Sequence, residues 1–272
     1  MQALRHYLLA LQFFTRIPVT GRLAQWVGYS PAMLRASNAH FPGVGWLVAA
    51  VAASVFGTLQ WALRPSPMAP LVAAVFCTIA TVLVTGGFHE DGLADVADGL
   101  GGSLDRERAL DIMKDSRIGA FGAMALVLAL LAKLSLLTLL GTHGLGAALA
   151  ALAGAHVLSR FWPLLLVRSM AHVGDTARSK SKPLADQITA RALGAAFLWC
   201  LLPLALVWQA QGALFLGASV AGSALAAGWM ARWFARRLQG FTGDCLGATQ
   251  QVCEIAFYLG AALSLGAAGH TA

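Results

Sequence analysis

A short acidic segment is the part of this sequence best suited to chemistry. Residues 86–102 read GGFHEDGLADVADGLGG and hold four carboxylates within nine positions. On a helix with 100° between successive residues, Asp91, Asp95 and Asp98 lie within about 60° of one another. Glu90 lies about 100° away from Asp91 on the same helix. The spacing therefore predicts a stripe of three aspartates that excludes Glu90.

This stripe has no basic neighbour along the chain, because no Lys or Arg occurs between Pro65 and Asp105. Like charges four residues apart destabilise a helix by roughly 0.2–0.5 kcal/mol per pair in water. The cost grows where the dielectric constant is lower. A divalent cation with oxygen ligands offsets it, and carboxylates that leave water on the metal suit Mg²⁺ or Mn²⁺. We therefore predict that Asp91, Asp95 and Asp98 bind Mg²⁺; a solvated acidic cap is the alternative.

Residues 105–122, DRERALDIMKDSRIGAFG, place basic side chains next to this stripe. Phosphoryl transfer uses such a combination, because a metal neutralises phosphate oxygens and Arg binds them through two parallel hydrogen bonds. We predict that Asp115 and Arg117 belong to a catalytic site and that Lys114 contacts phosphate. Three other charged residues are interpreted as surface ion pairs: Arg106, Arg108 and Asp111.

Further ionisable residues lie near or inside apolar segments. Asp244 and Glu254 are the only acids after Asp186, and Glu254 begins an apolar run, where a charge is costly and marks a candidate site. Asp244 could equally be a helix N-cap. The predicted binding residues, for substrate or metal, are His89, Lys114, Arg160, Asp244 and Glu254. Lys133 is interpreted as a paired or snorkelling residue.

The elements that carry these residues are predicted to be membrane helices. The chain has 272 residues, of which 58% are hydrophobic and 11% charged, whereas soluble domains carry about 25% charged residues. Long Ala/Leu/Gly-rich runs favour helices over a β-barrel. We predict an all-α, polytopic integral membrane bundle forming one domain over 1–272. The four cysteines form no CxxC pair and are interpreted as apolar filler.

Hydropathy predicts seven crossings, preceded by an amphipathic interfacial helix within 1–20. The crossings are 43–63, 68–87, 118–140, 144–167, 192–211, 212–231 and 247–268. The fifth and sixth crossings, 192–211 and 212–231, are predicted to join at QAQG. The alternative for this stretch is one crossing plus a re-entrant piece.

The basic residues predict the orientation of these crossings. Sixteen of the nineteen Lys and Arg residues fall in the N-terminal segment and in alternate loops. By the positive-inside rule, these regions face the cytoplasm, including the acidic segment 86–117. The protein is thus predicted to lie in the cell inner membrane with its active site facing the cytoplasm. The net charge of +7 is attributed to this topology and to anionic lipid rather than to nucleic acid.

The motifs resemble those of the cobalamin synthase family, the adenosylcobinamide-GDP ribazoletransferases. The resemblance rests on GGFHEDGLADVADG followed by ALDIMKDSRIGAFG, and on LQFFTRIPV, FPGVGWL, SRFWP and TGDCLGA, in that order along nearly the whole chain. Glu90 departs from the family pattern, which has an apolar residue there. Since Glu90 lies off the predicted stripe, we expect Glu90→Leu to retain most activity.

The resemblance implies a Mg²⁺-dependent membrane enzyme. It would join adenosylcobinamide-GDP to α-ribazole, or to its 5′-phosphate, releasing GMP and giving adenosylcobalamin or its 5′-phosphate. In this interpretation the stripe holds metal against the pyrophosphate, and one of its aspartates or Asp115 is the general base. Arg117 and Lys114 would balance charge on phosphate.

Other functions remain as alternatives. A CDP-alcohol phosphotransferase typically has D-x-x-D-G-x-x-A-R, a frame that DVADGLGGSL breaks, and a prenyltransferase would have two separated Asp-rich motifs. A divalent-cation transporter would place its carboxylates in mid-bilayer, whereas eight of twelve acids here lie between Glu90 and Asp115. The sequence leaves open whether the protein forms a homo-oligomer or a complex with other late-pathway enzymes.

Overall fold

The computed structural model describes residues 1–174 and 188–269. Within those residues the chain is α-helical, and its only β feature is an isolated bridge between His172 and Phe241. The predicted all-α membrane bundle is therefore confirmed as the fold class. Part of the predicted basic loop after the fourth crossing, residues 175–187, lies outside the described residues.

Twelve α-helices and one short 3₁₀-helix, Asn38–His40, occur in the described chain. In chain order the α-helices are α1 (Gln2–Phe14), α2 (Gly21–Val27), α3 (Pro31–Ser37), α4 (Phe41–Ala62), α5 (Ala69–Thr85), α6 (Phe88–Gly102), α7 (Arg106–Met113), α8 (Ala120–His143), α9 (Leu145–Leu158), α10 (Trp162–Ser169), α11 (Ala190–Arg237) and α12 (Gly243–Gly269).

Four segments of the described chain are long and apolar enough to cross a membrane. They are Pro31–Ala62, Ala120–His143, Leu145–Ser169 and Ala190–Arg237. The bent pair of α5 and α6 meets the same test when taken together. The count of seven crossings therefore stays a prediction, although each predicted crossing coincides with helix.

The longest helix, α11, is broken where the sequence predicts a joint. Its 48 residues would span about 72 Å if straight, far more than the roughly 30 Å of a hydrocarbon core. Gly212, the Gly of QAQG, has φ 84° and ψ 176°, which is not helical. Only a residue without Cβ adopts this backbone region readily. The two parts, 190–211 and 213–237, are each long enough for one crossing.

Large apolar side chains cover the outside of α11. Leu198, Trp208, Leu225 and Trp229 are all more than half exposed. An uninterrupted apolar exterior of this kind is a surface for lipid rather than for water. The helix therefore contributes one side of the membrane-facing surface.

Two glycines turn the chain sharply from α5 into α6. Gly86 and Gly87 have φ 72° and 70°, and the two helix axes differ by 90°. The N–H groups of both glycines donate to the carbonyl of Val82, which closes the end of α5. Arg16, just after α1, donates its backbone N–H to Val84 at 2.7 Å, and its side chain lies against Gly86. Gly86 and Gly87 thus form an elbow between α5 and α6, and this elbow fixes the direction of α6.

The helix α6 is too short and too acidic to cross a membrane by itself. It has 15 residues, fewer than the roughly 20 needed for one crossing, and it carries four acids. It packs against α8 and α12, and α12 also contacts α9 and α11. The acidic segment is thereby held against the central helices of the bundle.

The N-terminal amphipathic helix is present as α1 and is shorter than predicted. Leu9, Ala10, Leu11 and Phe14 are buried against the bundle, whereas Leu4 is 54% exposed. Its predicted position in the membrane interface stays a prediction.

Candidate active site

The predicted helical stripe of carboxylates lies on α6. Asp91 is exposed, Asp95 is half-buried, and Asp98 is buried with 8% exposure. Glu90 points elsewhere, because its Oε1 accepts a hydrogen bond from Gln251 of α12 at 3.1 Å. Exclusion of Glu90 from the stripe, inferred from the helical wheel, therefore agrees with this geometry.

Asp98 differs from its two neighbours because both of its oxygens bind backbone. Oδ2 accepts from the N–H of Gly119 at 2.7 Å, and Oδ1 accepts from Gly122 at 2.8 Å. These donors belong to the start of α8, whose own N-cap residue, Gly119, has no side chain to bind them. Asp98 thus caps α8 from another helix, and its negative charge suits that helix terminus.

A fourth carboxylate, Asp244, joins the stripe from the first turn of α12. Gly92 allows this approach, because a Cβ there would lie 2.8 Å from the carbonyl oxygen of Asp244. Thr242 donates its hydroxyl to Asp244 Oδ2 at 3.2 Å. The predicted second acidic patch is therefore adjacent to the first, through Asp244.

Two carboxylates of this group, Asp95 and Asp244, have a raised proton affinity. Burial raises the pKa of Asp95 to about 7, and Asp244 is the strongest of the neighbouring charges that add to this effect. Asp91 and Asp98 contribute in the same direction. Burial likewise raises the pKa of Asp244. Among the described residues, none of these carboxylates forms an ion pair with Lys or Arg.

Within the described residues, no three His, Cys, Asp or Glu side chains converge on one point as a ready-made metal cage. Mg²⁺ seldom uses such a cage, since it keeps several waters and binds through one or two carboxylates plus substrate phosphates. The oxygen-only donors and uncompensated charge of Asp91, Asp95 and Asp244 fit that mode. Asp98 fits it less well, because backbone N–H groups already occupy both of its oxygens.

An open cleft of about 610 Å³ lies between the end of α6, α7 and the start of α8. Asp98 contributes to its wall, together with Arg108, Asp111, Asp115 and Arg117. The cleft is large enough for a phosphate-bearing group and has cationic side chains on its wall. Of the predicted stripe, only Asp98 therefore lies at the same cleft as Asp115 and Arg117.

Asp115 and Arg117 are paired with each other at the mouth of this cleft. Arg117 Nε lies 3.0 Å from Oδ1 and Nη2 lies 2.6 Å from Oδ2. These hydrogen bonds lower the pKa of Asp115 to about 2. A carboxylate so stabilised in its ionised form is a weak base, which argues against Asp115 as the general base in this arrangement.

The other charges of α7 mostly form surface pairs, as interpreted from the sequence. Lys114 Nζ lies 3.6 Å from Asp111, and Arg106 contacts Glu107. Arg108 has no ion-pair partner in the part of the chain that is described, and it lines the cleft. The sequence interpretation assigned Arg108 to an ion pair, so this free cation was missed.

A second polar group lies inside the bundle, around Glu254. The carboxylate is 1% exposed, and Lys133 Nζ lies 2.6 Å from its Oε1. His156 Nδ1 lies 3.4 Å from Oε2, and Tyr258 donates its hydroxyl to Oε1 at 3.1 Å. Gln250 Nε2 donates to Oε2 at 2.7 Å. Lys133 therefore pairs, one of the two roles predicted for it.

Arg160 and His89 are also enclosed by protein. Arg160 is 2% exposed, donates to the carbonyl of His156 at 2.7 Å and lies 5.8 Å from the ring centroid of Phe41. His89 stacks on the same ring and lines a small apolar cavity of about 40 Å³. Glu254, Arg160 and His89 were predicted to bind substrate or metal, and none of the three lines the open cleft.

Sequence reasoning missed two features of this interior, and only the first of them leaves a pattern in the sequence. Gln250, Glu254 and Tyr258 recur every four residues on α12, so they share one helix face. Gln251 of α12 and Glu90 of α6 are 161 residues apart, and nothing in the local sequence indicates their contact.

Together, the apolar helices and the polar site at one end of their bundle define an α-helical integral membrane protein with a candidate active site. The chain belongs to the cobalamin-5-phosphate synthase family, whose profile matches residues 6–262. The family resemblance inferred from the motifs is thus confirmed.

Several curated relatives match almost the whole chain. Adenosylcobinamide-GDP ribazoletransferases from a Polaromonas species and from Polaromonas naphthalenivorans are each 62% identical, covering 97% of this chain and 98% and 100% of their own lengths. The protein of that name from Shewanella piezotolerans is 42% identical over 95% of both chains. No solved structure matches the chain significantly.

Proposed function

We propose that the protein is an adenosylcobinamide-GDP ribazoletransferase of cobalamin synthesis. One observation carries this proposal: Asp98 of α6 lines a cleft together with Arg108 and Arg117, in a chain of which 97% aligns with relatives of that name. The substrates would be adenosylcobinamide-GDP and α-ribazole or its 5′-phosphate. The products would be adenosylcobalamin, or its 5′-phosphate, and GMP.

In this reaction a ribose hydroxyl oxygen attacks a phosphorus atom of the pyrophosphate. The bond from that phosphorus to the GMP oxygen breaks, GMP leaves with the bonding electron pair, and the hydroxyl proton passes to a base. Asp95 suits the base role, because a pKa of about 7 matches proton transfer near neutral pH. Asp115 suits it less, since Arg117 holds it ionised.

Mg²⁺ is the proposed cofactor, and it would supply charge neutralisation at the pyrophosphate oxygens. Asp91 and Asp244 would hold it, together with water and phosphate oxygens, while Asp95 beside them stays available to accept the hydroxyl proton. The side chains of Arg108 and Arg117 lie where they could bind phosphate oxygens, Arg108 directly and Arg117 by exchanging Asp115 for substrate. Each interaction would increase as negative charge accumulates on the departing phosphate.

The orientation of the site is part of the same proposal. The segment from α6 to α8 carries Arg106, Arg108, Lys114 and Arg117, and positive residues accumulate on cytoplasmic loops. We place the cleft on the cytoplasmic side of the inner membrane, where nucleotides are present.

The test is a reaction with purified protein in detergent or lipid nanodiscs. Adenosylcobinamide-GDP, α-ribazole and Mg²⁺ are supplied, and GMP and the corrinoid product are quantified by chromatography. A parallel reaction with α-ribazole 5′-phosphate identifies the preferred acceptor. Asp91→Asn is the negative control, and chelation of Mg²⁺ should stop the reaction. Absence of GMP release by folded wild-type protein with either acceptor would refute the proposal.

A further inference from the structure

A continuous chain of buried and part-buried polar contacts joins three helices next to the candidate active site. Lys133 of α8 pairs with Glu254 of α12 at 2.6 Å, and Gln250 donates to the same carboxylate at 2.7 Å. Gln251 Nε2 then bonds to Gln250 Oε1 at 3.0 Å and to Glu90 Oε1 of α6 at 3.1 Å. We call these five residues the buried clasp.

The charges around the clasp are balanced only if Glu90 is counted. Lys133 and Arg160 are the buried cations in this region, and each interacts electrostatically with both Glu254 and Glu90. Without Glu90, a single carboxylate would face two enclosed cations. Uncompensated charge is costly in such surroundings, because little water is present to solvate it.

Glu90 cannot contact substrate in this arrangement. Its Oε2 is enclosed by protein and has no hydrogen-bond partner, and Oε1 is bound to Gln251. Glu90 is nevertheless adjacent in sequence to Asp91 and lies one turn before Asp95. The first turn of α6 therefore has one face directed at the buried clasp and another directed at the candidate active site.

We propose that Glu90 is a positioning residue for the transfer reaction: held by Gln251 and by the buried charges, it sets the direction of Asp91 and Asp95. This inference rests on the proposed function and adds to it a residue that does not touch the reacting atoms. It also replaces the sequence-based expectation that Glu90→Leu retains most activity. That expectation considered only the face of α6 that bears the stripe.

The same end of α6 has close backbone contacts that would convert a small shift into lost activity. Gly247 of α12 leaves space for the backbone of His89, at 3.3 Å from a notional Cβ, and Gly92 packs on Asp244. If Glu90 no longer anchors this turn, the turn can rotate against α12, and Asp91 and Asp95 move relative to Asp244. Groups that orient a metal-binding or reacting side chain typically change activity by about 10- to 100-fold when removed.

The experiment compares four proteins in the GMP-release assay: wild type, Glu90→Leu, Glu90→Gln and Glu107→Leu. Glu107→Leu is the matched control, since it makes the same change at an exposed carboxylate of α7. We expect Glu90→Leu to lower kcat by about 10- to 100-fold with KM values within about threefold of wild type. Glu90→Gln, which keeps the shape and one acceptor oxygen, should lose less, and Glu107→Leu should match wild type.

Hydrogen–deuterium exchange provides a second readout that does not depend on turnover. In Glu90→Leu, peptides covering 88–95 should exchange faster, while peptides from 213–237 in α11 should be unchanged. The double variant Glu90→Gln/Gln251→Glu, which moves the carboxylate across the same hydrogen bond, should restore kcat to within about fivefold of wild type.

The outcomes separate this inference from the proposed function. An inactive wild-type protein would refute the function, while exchange at 88–95 would still report whether Glu90 anchors α6. Wild-type kcat and wild-type exchange in Glu90→Leu would overturn the positioning role. Faster exchange throughout the bundle in both Glu90→Leu and Glu90→Gln would overturn it too, because Glu90 would then be needed for general stability.

Discussion

Asp98 provides the sharpest test of the roles assigned to the carboxylates of α6. The sequence groups it with Asp91 and Asp95 as a metal ligand, whereas in the structure it caps α8. Asp98→Asn changes one atom and keeps the shape of the side chain. The amide group of Asn can accept only one of the two backbone hydrogen bonds from Gly119 and Gly122, and its NH₂ then faces the other N–H.

The size of the effect follows from these contacts. A hydrogen bond to a charged group contributes about 1.5–3 kcal/mol. The variant loses one such bond entirely and reduces the other to a neutral one. A carboxylate at a helix N-terminus adds about 0.3–1 kcal/mol, which is also lost. The free energy of unfolding should therefore fall by about 3 kcal/mol, equivalent to a decrease of roughly 6–10 °C in Tm for a chain of this size.

The matched control is Asp95→Asn, the same substitution one helical turn earlier. Among the described residues Asp95 makes no backbone hydrogen bond through its side chain, and neighbouring carboxylates repel it, so the Tm of Asp95→Asn should stay at or above that of wild type. GMP release by Asp95→Asn should nevertheless be abolished. Thermal unfolding in one detergent, followed by circular dichroism, compares the variants directly. A wild-type Tm for Asp98→Asn would refute the capping role.

Three further predictions follow from the packing, the topology and the charge of the site. Gly92→Ala should lower both Tm and activity, because its Cβ would meet the backbone of Asp244 at 2.8 Å. Gly228→Ala is the control and should keep both, because there is open space around Gly228. Equal Tm values for the two variants would contradict the close approach of Gly92 to Asp244. A cysteine replacing exposed Ser116 should react with an impermeant maleimide in inside-out vesicles only, and labelling of intact spheroplasts would reverse the proposed orientation. Binding of Mn²⁺ to the metal-free protein, measured by electron paramagnetic resonance, should strengthen as pH rises through about 7, since loss of the Asp95 proton adds negative charge beside the metal; a pH-independent affinity in wild type would contradict the placement of Asp95 next to the metal.

The sequence predicted those features that depend on one helix at a time. Apolar runs gave the fold class, and QAQG marked the break at Gly212 because glycine interrupts an otherwise continuous apolar pattern. The helical wheel separated Glu90 from Asp91 and Asp95, since side-chain direction repeats every 3.6 residues. These inferences need no knowledge of neighbouring helices.

The features that the sequence did not predict are contacts between helices distant along the chain. Asp98 meets Gly119 and Gly122 only because α6 packs beside the start of α8. Glu254 looked like a substrate ligand because a charge in an apolar run needs a partner. That partner is Lys133, which lies 121 positions earlier in the chain. A wheel shows which face a residue occupies, and only packing shows what that face meets.

The attachment of Arg16 to the elbow at Gly86 has a mechanical consequence. The segment after α1 is tied to the point where α5 turns into α6, so displacement of the N-terminal helix would be transmitted to the acidic face some ten residues further on. A change that displaces α1 would thus alter the geometry of the acidic face, although α1 carries no candidate site residue. For the same reason, an affinity tag is better joined to the C-terminus than to the N-terminus.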